Sequence, residues 1–273
     1  LHSMGGLRVF GREKLLAFKN EPSYLTDYRE INYEGRSWQA ELARRGYLSI
    51  AIDGFNFGLR TQSAVENRVA FSEKRLRFSK DEAGQYTTQA SIQGEALAQR
   101  GLMTAGLSIA ALVATDDLRT VDYLCTRNDV DPQRIGCVGL SFGSFRTNCL
   151  AALDPRIKTA VSACWISTLD GIIDYNIAGV MGFFAAPPGL YQRMDISDLI
   201  ALAAPKPFLA ISGWKDKLFQ PAGMVKAHLQ LRDYWKKQGA PDHFGSLFYD
   251  VPHQFDRKMQ ENALDFFDLH LRS

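Results

Sequence analysis

The sequence predicts an α/β fold: a mostly parallel sheet with helices on both faces and two lid-like excursions. Three observations predict it. Apolar runs alternate with amphipathic segments from residue 37 to the end of the chain; those runs are near-continuous, as strands covered on both faces must be; and 46% hydrophobic with 23% charged residues over 273 positions suits one large core. The expected organisation is a single domain, 1–273, since α/β folds of this size commonly stay one unit.

The elements follow in order. Ser37 to Arg45 is amphipathic and reads as helix, and Gly46-Tyr-Leu-Ser-Ile-Ala-Ile-Asp53 reads as a buried strand closed by the Asp53-Gly54 turn signal. Asp117 to Cys125 reads as helix, Arg134 to Leu140 as strand, Phe142 to Leu153 as helix and Ile157 to Trp165 as strand. Phe208 to Ser212, Met224 to Gln238, Leu247 to Val251 and Met259 to Leu271 complete the series as strand, helix, strand and helix. Two stretches break the rhythm. Residues 61–103 are polar, with alternating charge around Ser72 to Glu82 and no clear strand, and residues 171–198 are rich in Gly, Pro and aromatics. Each reads either as a wall of a ligand site beside the strand ends or as plain surface loop.

Lysine and arginine total 32 against 30 acids, so no field selects nucleic acid or an anionic membrane, and no apolar stretch reaches the ~20 residues of a membrane span. The four cysteines, Cys125, Cys137, Cys149 and Cys164, have no CxxC spacing and read as buried thiols, with no metal site expected. They fit a cytoplasmic chain and equally one exported behind a signal peptide upstream of Leu1.

The sharpest chemical signal is Gly139-Leu140-Ser141-Phe142-Gly143, a G-x-S-x-G between an apolar strand and a helix. That order is the one a nucleophile elbow needs: the turn is too tight for side chains beside a serine whose hydroxyl must stand exposed. A serine needs a histidine to take its proton, and the histidine an acid to orient it. His253, in the loop between the last strand and last helix, is the expected base, and Asp216, past the strand Phe208 to Ser212, the expected acid. His243 competes with His253, Asp170 and Asp174 are alternative acids, and His228 and His270 read as surface residues of helices. The expected oxyanion donors are the backbone N–H groups of Phe142 and Met4, the latter in Leu1-His-Ser-Met-Gly-Gly6, which has the form of an H-G-x loop with Ser3 in a glycine's place. His2 reads as packing that loop. No strand precedes His2 here, so the chain is expected to lack N-terminal strands.

These segments resemble a bacterial α/β-hydrolase of the acetylxylan esterase and dienelactone hydrolase-like group. The resemblance is carried by His2 to Gly6 with Phe10 to Lys14, Arg44 to Tyr47 with Asp53 and Phe57-Gly58, Asp116 to Leu124, Val130 to Ser141, Leu153 to Ile157, Gly213 to Phe219, and Pro252 to Phe255 with Met259 to Glu261. Two departures stand out. Ser144 follows Gly143 where the group often has a further glycine, and Ser141 stands where true dienelactone hydrolases carry cysteine. The resemblance therefore implies a serine esterase that needs no cofactor or metal, acting on a carbohydrate (acetylxylan-type) or small-molecule ester. A prolyl-oligopeptidase-type peptidase and a non-catalytic binding protein on the same fold are the rival readings. Trp165, Trp214 and Phe183 are candidate pocket aromatics, with core packing the competing account. Arg60 and Arg146 are candidate anion binders, with ion pairs to neighbouring acids the competing account.

Overall fold

The structure is a computed structural model that describes residues 1–5, 7–8, 10–60, 78–80, 86–173 and 181–272. Its elements are α1 (Ser23–Tyr33), α2 (Trp38–Arg44), β1 (Phe78–Lys80), β2 (Tyr86–Thr88), α3 (Gln89–Thr104), α4 (Ile109–Cys125), β3 (Ile135–Leu140) and α5 (Phe142–Leu153). They continue with β4 (Ile157–Ala163), α6 (Asp170–Ile173), α7 (Ile196–Ala201), β5 (Phe208–Gly213), α8 (Pro221–Lys237), β6 (Phe244–Tyr249) and α9 (Arg257–Leu271).

Strands β3, β4, β5 and β6 form one parallel sheet in that order, with Val138 opposite Val161, Val161 opposite Leu209 and Ile211 opposite Leu247. Successive side chains of a strand face opposite ways, and the core divides accordingly. Cys137, Ala160, Phe208 and Ala210 pack with Phe145 and Leu150 of α5, Ile200 of α7 and Met224 of α8. Val138, Val161, Leu209 and Ile211 pack with Leu25 of α1, Trp38 of α2 and Met259, Leu264 and Phe267 of α9. Burial on both faces is what made the central strands read as continuous apolar runs.

The structure corrects the sequence reading in three places. Gly46 to Asp53 joins no ladder: among the described residues no strand lies alongside it, and a cavity of about 300 Å³, lined by Leu48, Ile50, Ile52, Ile135 and Cys137, separates it from β3. An apolar run becomes a strand only when its backbone groups find partners. The last strand is Phe244–Tyr249, three residues upstream of the expected start, because β6 pairs Gly245 and Ser246 with Leu209 and Ala210 although neither residue is apolar. The 61–103 stretch holds the antiparallel pair β1–β2 and the 16-residue helix α3, where no strand was expected; residues 61–77 and 81–85 lie outside the described residues. The 171–198 stretch contains two short 3-10 turns at Phe183–Ala185 and Leu190–Gln192 and leads into α7, residues 174–180 lying outside the described residues. Among the described residues no single helix is long and apolar enough to cross a membrane.

Candidate active site

Ser141 sits between β3 and α5 at φ 60° and ψ −118°, a conformation rarely tolerated by a residue with a side chain. The surroundings hold it there. Its N–H donates to the carbonyl of Ala163 at 2.9 Å, and its own carbonyl accepts from Phe145 as α5 begins. A Cβ on Gly139 would overlap the backbone of Gly143, and a Cβ on Gly143 would overlap the carbonyl oxygen of Leu1. Both glycines are therefore demanded by close approach, the second by the N-terminal segment lying against the first turn of α5.

Asp216 and His253 come from the loops after β5 and β6, at the same sheet end as Ser141. His253 Nδ1 lies 2.6 Å from Asp216 Oδ2, and Asp216 Oδ1 accepts the N–H of Leu218 at 2.9 Å. A carboxylate that close to Nδ1 requires the proton on that nitrogen, which leaves the lone pair on Nε2. Nε2 is buried without a hydrogen-bond partner; no hydrogen bond joins it to Ser141 Oγ.

The sequence reading missed the neighbour of this pair. Cys164, at φ 58° just beyond β4, places its sulfur within 4.8 Å of the Asp216 oxygen and His253 ring nitrogen. Its thiol donates to the Gln254 carbonyl at 3.4 Å, and burial, reinforced by Asp216, pushes its pKa well above the ordinary thiol value. It is a neutral wall of the acid–base pair. The 2.6 Å hydrogen bond between Asp216 and His253 brings those two atoms closer than ligands of one ion normally stand.

The N-terminal loop lies against the elbow, with Leu1 and His2 on Gly143. His2 is buried, its Nε2 accepts the N–H of Gly54 at 2.8 Å and its Nδ1–H donates to the Ser3 carbonyl at 3.1 Å. Burial first, then Arg146 and Lys14, drive its pKa well below 6.5, so the ring is a neutral packing element against Phe57 and Phe142. Met4 is half-buried, and among the described residues its N–H has no acceptor. Phe142 is the first residue of α5, where a helix leaves its N–H groups without intrahelical acceptors. Its ring lies in the core, stacked on Phe57 at 5.2 Å.

The remaining candidates separate. Trp165 is 3% exposed and wedged among Phe145, Phe184 and Phe219, with Phe219 in turn 6.3 Å from the His253 ring. Trp214 and Phe183 are 44% and 43% exposed; Trp214 stacks on Phe248. Arg146 is buried in a two-bond pair with Asp117 at 2.9 and 2.6 Å, the ion-pair account of this residue, and its Nη1 is buried without a partner. Arg60 pairs with Asp116 at 2.6 Å near the surface. His243 is exposed and bonded to the Pro205 carbonyl, Asp170 pairs with Lys226, and Asp174 lies outside the described residues. His228, expected at the surface, is 3% exposed between Ser212 and Ser246, its pKa pushed down to about 3 by burial first and then Arg232.

Residues 93–273 match the family model described as the prolyl oligopeptidase family. The chain belongs to that family. The matched segment runs from α3 to the end of the chain and carries every strand of the parallel sheet, with Ser141, Asp216 and His253; residues 1–92, with Met4 and the N-terminal loop, precede it. The fold is that of the α/β-hydrolases, a serine-hydrolase superfamily. YtaP of Bacillus subtilis (strain 168), a candidate hydrolase, is 28% identical over 241 residues, spanning 88% of this chain and 67% of YtaP. Among solved structures, a candidate acetyl xylan esterase from Bacteroides fragilis NCTC 9343 superposes with a TM-score of 0.63 at 16% identity, covering 91% of this chain and 57% of its own. A glucuronoyl esterase of carbohydrate esterase family 15 from Caldicellulosiruptor kristjansonii gives 0.50 at 19% identity over 60% of this chain and 50% of its own. The chain thus spans about half the length of these two structures, and at such identities the likeness is one of fold.

Proposed function

We propose that this protein hydrolyses carboxylic esters through an acyl-enzyme. Ser141 attacks the ester carbonyl, His253 Nε2 takes the serine proton and returns it to the leaving alkoxide, and Asp216 holds the imidazole in the tautomer that makes this possible. The N–H groups of Phe142 and Met4 receive the oxyanion, and water then repeats the sequence to release the acid. The observation that carries this reading is the buried, unpartnered His253 Nε2, its tautomer set by Asp216 at 2.6 Å, at the sheet end where the strained Ser141 stands. Small-molecule esters or acetylated carbohydrates are the proposed substrates, supported by the fold likeness to carbohydrate esterases.

A second reading, cleavage of a peptide bond after the same attack, is favoured by the family match. One assay separates the two: hydrolysis of a 4-nitrophenyl acetate and of a peptidyl 4-nitroanilide by wild type and Ser141→Ala. The ester reading expects acetate turnover that falls at least about 10³-fold in the variant, with the anilide resistant. Faster anilide turnover moves the assignment to a peptidase, and unchanged rates in Ser141→Ala remove Ser141 as nucleophile.

A further inference from the structure

We propose that Lys14 is a positioning residue for the Met4 oxyanion donor, an inference that rests on the ester-hydrolysis reading of the site. Lys14 lies on the 3-10 turn Arg12–Leu15 and is 0% exposed, yet among the described residues it makes no ion pair with a carboxylate. Its ammonium donates instead to two consecutive carbonyls, Ser3 O at 3.1 Å and Met4 O at 2.7 Å, and rests about 5 Å from the Tyr28 and Phe57 ring centroids. The same Ser3 oxygen also accepts from His2 Nδ1 at 3.1 Å.

The consequence follows from peptide geometry. The Ser3–Met4 bond is trans, so its C=O and N–H point in opposite directions within one plane. Two donors that pin the Ser3 oxygen therefore pin the Met4 N–H, aiming it away from Lys14. The segment that carries it is fixed beside the elbow, because Leu1 and His2 lie directly on Gly143. A cation on the carbonyl also polarises the amide, which makes its N–H a stronger donor to a developing oxyanion. Burying a cation with no carboxylate in direct contact is costly, and burial first, then Arg8, drives the Lys14 pKa well below 10.5 against the opposing pull of Glu13 and Asp53. A loop needing only a latch is held more cheaply by a neutral donor; an oriented and polarised donor is what the charge adds.

The test uses Lys14→Met, which keeps the length of the side chain and removes the charge and donors. The expected result is a fall of about ten- to a hundredfold in kcat on the acetate ester with KM little changed. Affinity for a trifluoromethyl ketone, whose serine adduct carries the oxyanion, should fall by the same factor as kcat/KM, while the affinity of a plain methyl ketone stays put. A variant that is less stable but keeps its kcat and its trifluoromethyl ketone affinity overturns the proposal and leaves Lys14 a structural latch. If Lys14→Met does not fold, Lys14→Gln, which retains a neutral donor, is judged by the same two readouts. Ser141→Ala is run beside them: full activity there refutes the site reading itself, whereas an inactive Ser141→Ala with an unimpaired Lys14 variant refutes only the role given to Lys14.

Discussion

Arg146 and Lys14 are both cations buried almost completely, and both depress the pKa of His2, yet they are compensated in different ways. Arg146, inside α5, has a full counter-charge: two hydrogen bonds to Asp117 of α4, with the guanidinium over the Phe142 ring. Lys14 has carbonyl dipoles and ring faces in direct contact, and the carboxylates of Glu13 and Asp53 act on it without a direct ion pair. The paired cation ties two helices together and serves architecture. The unpaired one holds the Ser3 and Met4 carbonyls and is the cation to which we assign the aiming of the Met4 amide, so a buried charge is told apart by its partner and not by its burial.

The contrast is most sharply broken by Asp117→Ala. Removing the counter-charge leaves the Arg146 guanidinium stranded in the core, and a loss of about 3–5 kcal/mol is expected in urea unfolding, while Asp117→Leu with Arg146→Met restores most of it. Lys14→Met is expected to change stability much less, within about 2 kcal/mol in the same experiment, because losing the bonds to two carbonyls is offset by relief of the desolvated charge. Equal losses at the two positions would erase the distinction.

Titration sharpens it further. With its pKa lowered in the folded state, Lys14 releases its proton more readily there than in the unfolded chain, so between the folded value and 10.5 the unfolded state holds more protons and stability rises with pH. Wild type should therefore gain on Lys14→Met as pH climbs through that window. The same sign applies to His228 at lower pH: with a folded value of about 3 against 6.5 unfolded, its contribution to stability is lost as pH falls below 6.5, and His228→Gln should soften the acid limb of the stability curve. The smallest effect is expected for Arg60→Ala, whose partly exposed pair with Asp116 is worth about 0–1 kcal/mol, measured as a shift in thermal midpoint.

How much of this was legible in the sequence varies with the range of the interaction. The elbow could be read because its constraints are local: strand, glycine, serine, glycine and helix are contiguous, and Phe142 to Leu153 matches α5 residue for residue. Asp216 and His253 were reached through chain order, which the parallel sheet imposes on its strand-end loops. Gly46 to Asp53 failed because apolar composition records burial but not the presence of a partner strand. The Arg146–Asp117 pair spans 29 residues, and an arginine in a helix looks the same from the sequence whether it meets solvent, substrate or a buried acid. Lys14 enters the sequence reading only within the resembling segment Phe10 to Lys14, because its burial depends on contacts with Ser3, Met4, Tyr28 and Phe57 that no local pattern records. His228 was misplaced for a similar reason: its serine partners sit on two separate strands, β5 and β6.

The two glycines of the elbow have a consequence for how such a motif tolerates change. Gly139 leaves room for Gly143, and Gly143 leaves room for Leu1, so strand, helix and N-terminal loop are nested in series like stacked bowls. A methyl group at position 143 would not merely crowd the serine; it would lift the rim that carries Met4. Five adjacent letters thus record a contact with a residue 142 positions away, and a substitution at the fifth should be silent in the strand, mild in the helix and most damaging at the far end of the stack.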